Sequence, residues 1–330
     1  MSTPRRIAIV GAGAIGGFLG TRLALAGHRV SALARGQTLQ ALQQHGWRLR
    51  EAGELHQAPC ATVSDDAAAL GPQDLVVIAV KGPALAAVAG QLAPLLDAHT
   101  VVLPAMNGVP WWFVQGLPGI GDTPLDSVDP GGRIASAIAL PRVLGCVVHA
   151  ATGTSAPGVV EHRMGQGLII GEPAGGESAR ANDWAAVLRE AGFDATASPR
   201  VRYDIWFKLW GNLTMNPVSA ITGATVDRVL DDPLVRAFCS AAMQEAAEIG
   251  RRIGCSIDQA PDDRHAVTRK LGAISTSMLQ DVQAGRPMEL DAIVGAVHEL
   301  GRRVNVPTPN VDALFGLARL FGRVKDLYKN

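Results

Sequence analysis

Arg6-Ile7-Ala8-Ile9-Val10-Gly11-Ala12-Gly13-Ala14-Ile15-Gly16-Gly17 runs on through Phe18 to Gly27 and into Arg29-Val30-Ser31-Ala32-Leu33-Ala34-Arg35. Its first five residues form a short apolar run with β-branched members, the pattern of a strand buried on both faces in a parallel sheet. The glycines follow at G-x-G-x-x-G spacing. Gly11 permits the tight turn, Gly13 lets backbone approach a pyrophosphate, and Gly16 allows close packing of helix on strand. The spacing predicts a helix over 14–26 with Gly27 as its stop, then a second strand. The backbone from Gly11 through Ala12, Gly13, Ala14 and Ile15 to Gly16 therefore presents a helix N-terminus, with free N–H groups and a partial positive charge, to a phosphate. A glycine-rich turn alone is weak evidence. Here a strand precedes it, a helix follows, and the second strand arrives on time.

The end of that second strand selects the dinucleotide. NAD readers place an acidic residue there, roughly 20 residues past the first glycine, to bond the ribose 2′-hydroxyl. This chain has no acidic residue between Gly11 and Arg50, and it has Arg35. A guanidinium pairs well with a phosphate, so the expected cofactor is NADPH/NADP+.

The chain has 330 residues, enough for two domains of ordinary size. Lys+Arg and Asp+Glu both number 30, so no basic excess points to nucleic acid or an anionic membrane. No apolar run approaches the length of a membrane span. Arg5 and Arg6 ahead of an apolar stretch could imitate a secretory signal, but the glycine fingerprint occupies that stretch and Arg22 interrupts it. Cys60, Cys146, Cys239 and Cys255 show no C-x-x-C spacing and the eight histidines no H-x-x-x-H pair. Reduced thiols, no metal and a cytoplasmic location are the expectation.

Further along, a helix is expected over 38–44, strand-like segments over 47–49 and 56–63, and an apolar strand over 74–80. That strand ends at Lys81-Gly82. Ligands bind beyond the carboxyl ends of such strands, so Lys81 is a candidate for a phosphate or the nicotinamide ribose. A helix over 84–96, broken near Pro94, and a strand over 100–103 lead into Asn107-Gly108, again past a strand end. Residues 111–133 are rich in glycine and proline and read as a long loop, a common form of functional lid. Trp111-Trp112-Phe113 at its start either line a substrate cavity or bury beneath it. A strand over 143–149, a hairpin of 158–162 with 167–171, a helix over 178–191 and a strand over 193–197 complete the alternation.

From Arg202 the pattern is helical, with helices expected over 203–215, 217–221, 233–253, 262–279, 288–304 and 310–324. The change of period places the boundary near 200: an α/β Rossmann-type domain over 1–200, then an all-α domain over 201–330. Lys208, Asn212 and Asn216 recur at i, i+4, i+8, so they share one helix face. The helix is otherwise mostly apolar, and a lysine in apolar surroundings holds its proton less tightly, which suits a proton donor. A snorkelling surface lysine is the plain alternative. Ser277 and Glu289 flank a linker between helices, where Glu289 could simply favour the helix dipole.

Taken together these stretches resemble the ketopantoate reductase (2-dehydropantoate 2-reductase) family, within the 6-phosphogluconate dehydrogenase-like group. The resemblance rests on the early G-x-G-x-x-G, Lys81, Asn107-Gly108, Lys208…Asn212…Asn216-Pro217, and Ser277-Met278-Leu279-Gln280-Asp281 followed by Glu289-Leu290-Asp291. It implies an NADPH-dependent reduction of a small 2-oxo acid, ketopantoate to pantoate, on the route to pantothenate and coenzyme A. By the resemblance Lys208 is the proton donor. Asn107, Asn212, Asn216 and Ser277 orient the substrate, and Glu289 holds the nicotinamide ribose or the lysine. Asn107 and Ala151 lie near the cofactor. Some members carry a further asparagine about ten residues after Asn216; here the region reads Thr225-Val226-Asp227. That departure and the long loop leave open a reductase or dehydrogenase for another 2-oxo or 2-hydroxy acid. A non-catalytic NADP(H) sensor is a further alternative, against which Lys208 and Glu289 argue. A homodimer through apolar helix faces is compatible with the sequence, which shows no decisive patch.

Overall fold

The computed structural model describes residues 3–117 and 119–329; Pro118 of the glycine- and proline-rich segment lies outside them. The chain forms two compact units: residues 1–106 with 132–202, and residues 107–131 with 203–330. The boundary expected near 200 did not anticipate that 107–131 would group with the helices.

The first unit contains β1 (Arg6–Val10), α1 (Ala14–Leu25), β2 (Arg29–Leu33), α2 (Gly36–His45), β3 (Trp47–Glu51), β4 (Glu54–Ala58), β5 (Val63–Ser64), β6 (Leu75–Ile78), α3 (Gly82–Ala89), β7 (Val101–Pro104), α4 (Arg133–Ala137), β8 (Gly145–Ala156), β9 (Val159–Gly171), α5 (Ala179–Glu190) and β10 (Asp194–Ala197). A parallel sheet of order β5-β2-β1-β6-β7 forms its first layer. A second sheet of order β10-β9-β3-β4, with β8 paired to β9, forms another. Helix α1 packs against strands of both sheets. It is accordingly buried nearly all round, as a helix between two apolar layers must be. Its small residues serve that sandwich: a Cβ on Gly17 would strike Val160, and one on Gly20 would strike the Trp47 ring.

Two sequence expectations are corrected here. The single strand expected over 56–63 is split, because Pro59 follows β4 and the chain then crosses to β5 in the other sheet. The hairpin expected between 158–162 and 167–171 is instead one continuous strand, β9, paired antiparallel to β8. Gly165, at φ +73°, sits against the His149 carbonyl beside a register shift at Ala151, so this glycine marks a bulge and not a turn.

The second unit is helical: α6 (Val201–Thr222), α7 (Val226–Asp231), α8 (Pro233–Arg252), α9 (Pro261–Arg269), α10 (Ser277–Gln283), a π turn (Asp291–Gly295), α11 (Ala296–Arg303) and α12 (Pro309–Val324). The break expected at Pro217 is absent, and α6 runs unbroken for 22 residues. An interior proline costs about 3 kcal/mol. Burial of Leu213, Met215, Val218 and Ala220 on the turns around it offsets that loss. The helix expected over 262–279 divides, because Gly272 at φ +72° ends one and Thr276 caps the next, accepting from the Leu279 N–H. The helix expected from 288 starts later: residues 286–290 are non-helical and the chain enters through the π turn.

The described residues among 111–129 hold no helix or strand, yet they are fastened to the helices of this unit. Glu299 accepts from the Asp126 N–H at 3.0 Å and the Ser127 N–H at 2.9 Å. Arg303, one turn on, donates to the Thr123 and Pro124 carbonyls, each at 2.7 Å. Trp111, Trp112 and Phe113 are fully buried, and Phe113 stacks on Trp206. The long loop expected of this segment is a packed strap, and of the two readings left open for its aromatics the structure shows burial.

Candidate active site

In the first unit, three adjacent parallel strands deliver their carboxyl ends to one edge. Val10 is in register with Leu33 of β2 and Ile78 of β6. The glycine turn, Arg35 and Lys81 therefore leave the sheet side by side, as their positions in the sequence predicted. Gly11 has φ +92°, and a Cβ there would lie 2.5 Å from the Val80 side chain. Gly16 packs directly against the Gly11 carbonyl. At Gly13 a Cβ would meet nothing within 4 Å, so the turn is open on its outer side. Gly13 is the N-cap of α1, with no side-chain cap and no acidic residue in the first turn. Ala14 and Ile15 open the helix, and Ala12 is buried behind the turn. The N–H groups of this terminus are thus presented without a competing carboxylate, the donor set that a pyrophosphate requires.

Arg35 is exposed at the N-cap of α2, and its Nη2 donates to Gln91 Oε1 at 3.2 Å. Lys81 is half-buried at the N-cap of α3. An open glycine turn, an uncapped helix and two cations beyond one sheet edge fit a dinucleotide. Ala151 is placed differently from its expected position after a strand ending at His149. It lies within β8, opposite Met164 in the second sheet, at the bulge.

In the second unit, Lys208 lies on α6 and its Nζ donates to Asn107 Oδ1 at 2.8 Å, a pairing across 101 residues. Asn212 and Asn216 follow on the same helix face, Asn216 buried and Asn212 half-buried. The turn that carries Asn107 is itself fixed. Gly108 has φ +82°, and a Cβ on it would lie 2.7 Å from the Ala292 carbonyl carbon and 2.9 Å from its Cβ. The Val109 N–H donates to the Ala292 carbonyl at 2.8 Å. Ala292 belongs to the π turn, three residues past Glu289. Such turns recur at functional sites, because they open the backbone ladder locally. Asn107, Lys208 and the segment carrying Glu289 are thus linked within one unit.

The Glu289 segment has a second tie. The Met288 N–H donates to the Leu327 carbonyl at 2.9 Å, and the Tyr328 hydroxyl donates to Asp291 Oδ1 at 2.6 Å. Burial raises the Asp291 carboxyl above its ordinary range, outweighing Tyr328 and Arg319, which act the other way. Ser277 is exposed at the first position of α10, directly after the capping Thr276. In the Thr225-Val226-Asp227 region, Thr225 is the N-cap of α7 and Val226 is buried in the core of the helical unit.

Residues 7–112 match the family profile "Ketopantoate reductase PanE/ApbA" and residues 200–321 match "Ketopantoate reductase PanE/ApbA C terminal". The chain is 45% identical over 316 residues to the 2-dehydropantoate 2-reductase of Mesorhizobium japonicum, covering 95% of this chain and 97% of that one. This chain belongs to the ketopantoate reductase family. A 2-dehydropantoate 2-reductase of Archaeoglobus fulgidus is 30% identical, covering 96% of this chain and 97% of its own. A solved structure from Ralstonia solanacearum MolK2, provisionally assigned as a ketopantoate reductase, is 56% identical with a TM-score of 0.95; the match covers 99% of this chain and 100% of that one. The likeness to ketopantoate reductases therefore spans nearly the whole chain, including residues 113–199 between the two profiles.

Sequence reading missed three features of this site: the seat of Asn107-Gly108 on the π turn, the Gln91 partner of Arg35, and Arg264 lying on Gly211. Only the last left a signal, an isolated glycine inside the helical pattern of α6, which calls for a packing reason.

Proposed function

We propose that this member of the ketopantoate reductase family is an NADPH-dependent reductase of a small 2-oxo acid, with ketopantoate as substrate and pantoate as product. The observation that carries the reading is the Lys208 Nζ to Asn107 Oδ1 hydrogen bond at 2.8 Å. It directs an ammonium group, and reduction of a ketone needs a proton for the new alkoxide. When bound, the nicotinamide supplies the hydride. The glycine turn from Gly11 to Gly16 would hold the pyrophosphate, Arg35 the 2′-phosphate, and Lys81 a phosphate or ribose oxygen.

Lys208 delivers the proton from Nζ to the carbonyl oxygen. Asn107 fixes the amine while leaving it charged, since an amide oxygen accepts a hydrogen without neutralising the ammonium. Asn212, Asn216 and Ser277 orient the carboxylate and hydroxyl ends of the substrate. Glu289 bonds the ribose or the lysine. A positioned general acid contributes about 10²–10⁴ in rate, and orientation supplies much of the remainder.

A second reading, a reductase for a different 2-oxo acid, is supported by the Thr225-Val226-Asp227 region, which lacks the asparagine the resemblance implies for some family members. The test of both is NADPH oxidation by the purified protein with ketopantoate, with NADH as the paired control and a panel of 2-oxo acids beside it. Turnover of ketopantoate, fast with NADPH and slow with NADH, supports the first reading. Turnover confined to other members of the panel supports the second. No turnover with any member, despite NADPH binding in a titration, overturns both.

A further inference from the structure

Arg264, on α9, lies across α6 at Gly211. A Cβ on Gly211 would lie 2.7 Å from Arg264 Nε and 2.9 Å from Nη2, so glycine is what admits the guanidinium to the helix surface. The group also stacks over Phe207, with Cζ 5.2 Å from the ring centroid. Gly211 stands three residues after Lys208 and one before Asn212, and residues three apart on a helix are neighbours. The guanidinium therefore borders the face that carries Lys208, Asn212 and Asn216.

Among the described residues no carboxylate pairs with Arg264. Its Nε is buried without a hydrogen-bond partner. Burial alone pulls its pKa down, with no acidic neighbour acting the other way. Nε is turned onto Gly211, so the edge left for an anion is the outer Nη1–Nη2 pair, and a guanidinium partly desolvated in this way is favoured when an anion completes it. It presents its donors in a fixed planar fork, the geometry that matches a carboxylate.

We infer that Arg264, admitted by Gly211, is a substrate-binding residue that takes the carboxylate of the 2-oxo acid beside Lys208. The inference rests on the reading of the protein as a 2-oxo acid reductase. It assigns carboxylate recognition to a cation in addition to the amides and hydroxyl already named. A carboxylate on Arg264 leaves the adjoining carbonyl to the Lys208 side of the same helix face.

The test uses the full chain with two independent variants, Arg264→Ala and Gly211→Ala. The second keeps the arginine and displaces only its guanidinium, the far end of a flexible side chain, and urea unfolding of both variants shows that the fold is retained. Both are expected to raise KM for ketopantoate, Arg264→Ala by about 10- to 100-fold, the range of a hydrogen bond to a charged group. Changes in kcat should be smaller, and NADPH affinity in a fluorescence titration should stay the same. Arg264→Lys should recover part of the loss. Calorimetric titration with oxalate reads the carboxylate site without turnover, and both alanine variants should weaken it at least tenfold. Unchanged KM and unchanged oxalate affinity in folded variants would overturn the assignment. If the wild type turns over no ketopantoate, the reading of the reaction fails, while the oxalate titration still decides the role of Arg264.

Discussion

Lys208 and Asn107 stand 101 residues apart in sequence and 2.8 Å apart in space, amine to amide oxygen. The amide holds the ammonium in one direction. Replacing Lys208 by Ala is expected to lower kcat by about 10²–10⁴ while NADPH affinity stays unchanged, because the variant loses the proposed proton donor and keeps the Gly11 to Gly16 turn. Asn107→Ala keeps the donor and loses its orientation. Its kcat should fall less, roughly 10- to 100-fold. Steady-state kinetics beside an NADPH titration separate the two; an Asn107→Ala enzyme with full kcat would remove the amide from the account.

The backbone beneath that amide is equally constrained. Gly108→Ala asks an L-residue to adopt φ +82° and drives its Cβ into Ala292. The conformation alone costs about 1–3 kcal/mol. The collision must also move the Asn107 turn or the π turn. Urea unfolding should show a loss of that order or more, and kcat should drop together with it. A variant with native stability and native kcat would show that the turn is freer than its contacts indicate.

Arg35 is exposed, and among the described residues its hydrogen-bond partner is Gln91. A neutral partner orients the guanidinium without consuming its charge, leaving it for a phosphate. Arg35→Ala should weaken NADPH about tenfold or more, as expected for a charge-assisted bond to a phosphate, and should leave NADH nearly unchanged. Paired fluorescence titrations measure the ratio. Equal losses for the two cofactors would assign Arg35 to some other part of the dinucleotide.

The strands of the parallel sheet were legible because a buried parallel strand is a continuous apolar run, as Leu75-Val76-Val77-Ile78 is, and because the Gly11 to Gly16 spacing stands between a strand and a helix. The shared face of Lys208, Asn212 and Asn216 followed from helical period alone. The pairing of the second sheet was not legible. Its β3 lies far in sequence from the β9 it pairs with, and Gly165 and Gly167 imitate a turn where the chain only bulges. Pro217 misled for a similar reason: local propensity forbids it, and tertiary burial overrides propensity. The contact of Gly108 with Ala292 joins residues 184 positions apart by number and leaves no local pattern.

Glu299 pins the strap of residues 111–131 through two backbone N–H groups and shares its charge with Arg303, which donates to it at 2.6 Å. Burial pushes its pKa up, but the Ser127 and Asp126 groups and Arg303 together outweigh this, and the net shift is downward. A depressed carboxyl contributes stability above its unfolded value, and that contribution is lost as pH falls through the folded one. Glu299→Ala should cost on the order of 1 kcal/mol at pH 7, allowing for partial exposure, and should expose the strap to protease. The difference from wild type should shrink below about pH 4. Limited proteolysis and urea unfolding at two pH values check it; unchanged protection at pH 7 would mean that the buried Trp111, Trp112 and Phe113 hold the strap unaided.

Asp291 predicts the opposite slope. Burial raises its carboxyl in the folded protein, although Tyr328 and Arg319 oppose the shift. The native state therefore holds this proton more tightly than the unfolded chain does. Unfolding free energy falls with pH wherever the native state binds more protons, so stability from this group is present below the unfolded value, 3.8, and is lost as pH rises through the folded one. Asp291→Asn keeps an acceptor for the Tyr328 hydroxyl and removes the charge. It should match wild type near pH 4 and exceed it progressively toward pH 7, with urea midpoints as the readout. Tyr328→Phe removes the hydroxyl that satisfies Asp291 while the Met288 to Leu327 backbone bond remains. It should lower stability most where Asp291 is ionised. If the Asp291→Asn difference were flat with pH, the carboxyl would be solvated in solution, and the tail would hold the Glu289 segment through its backbone bond alone.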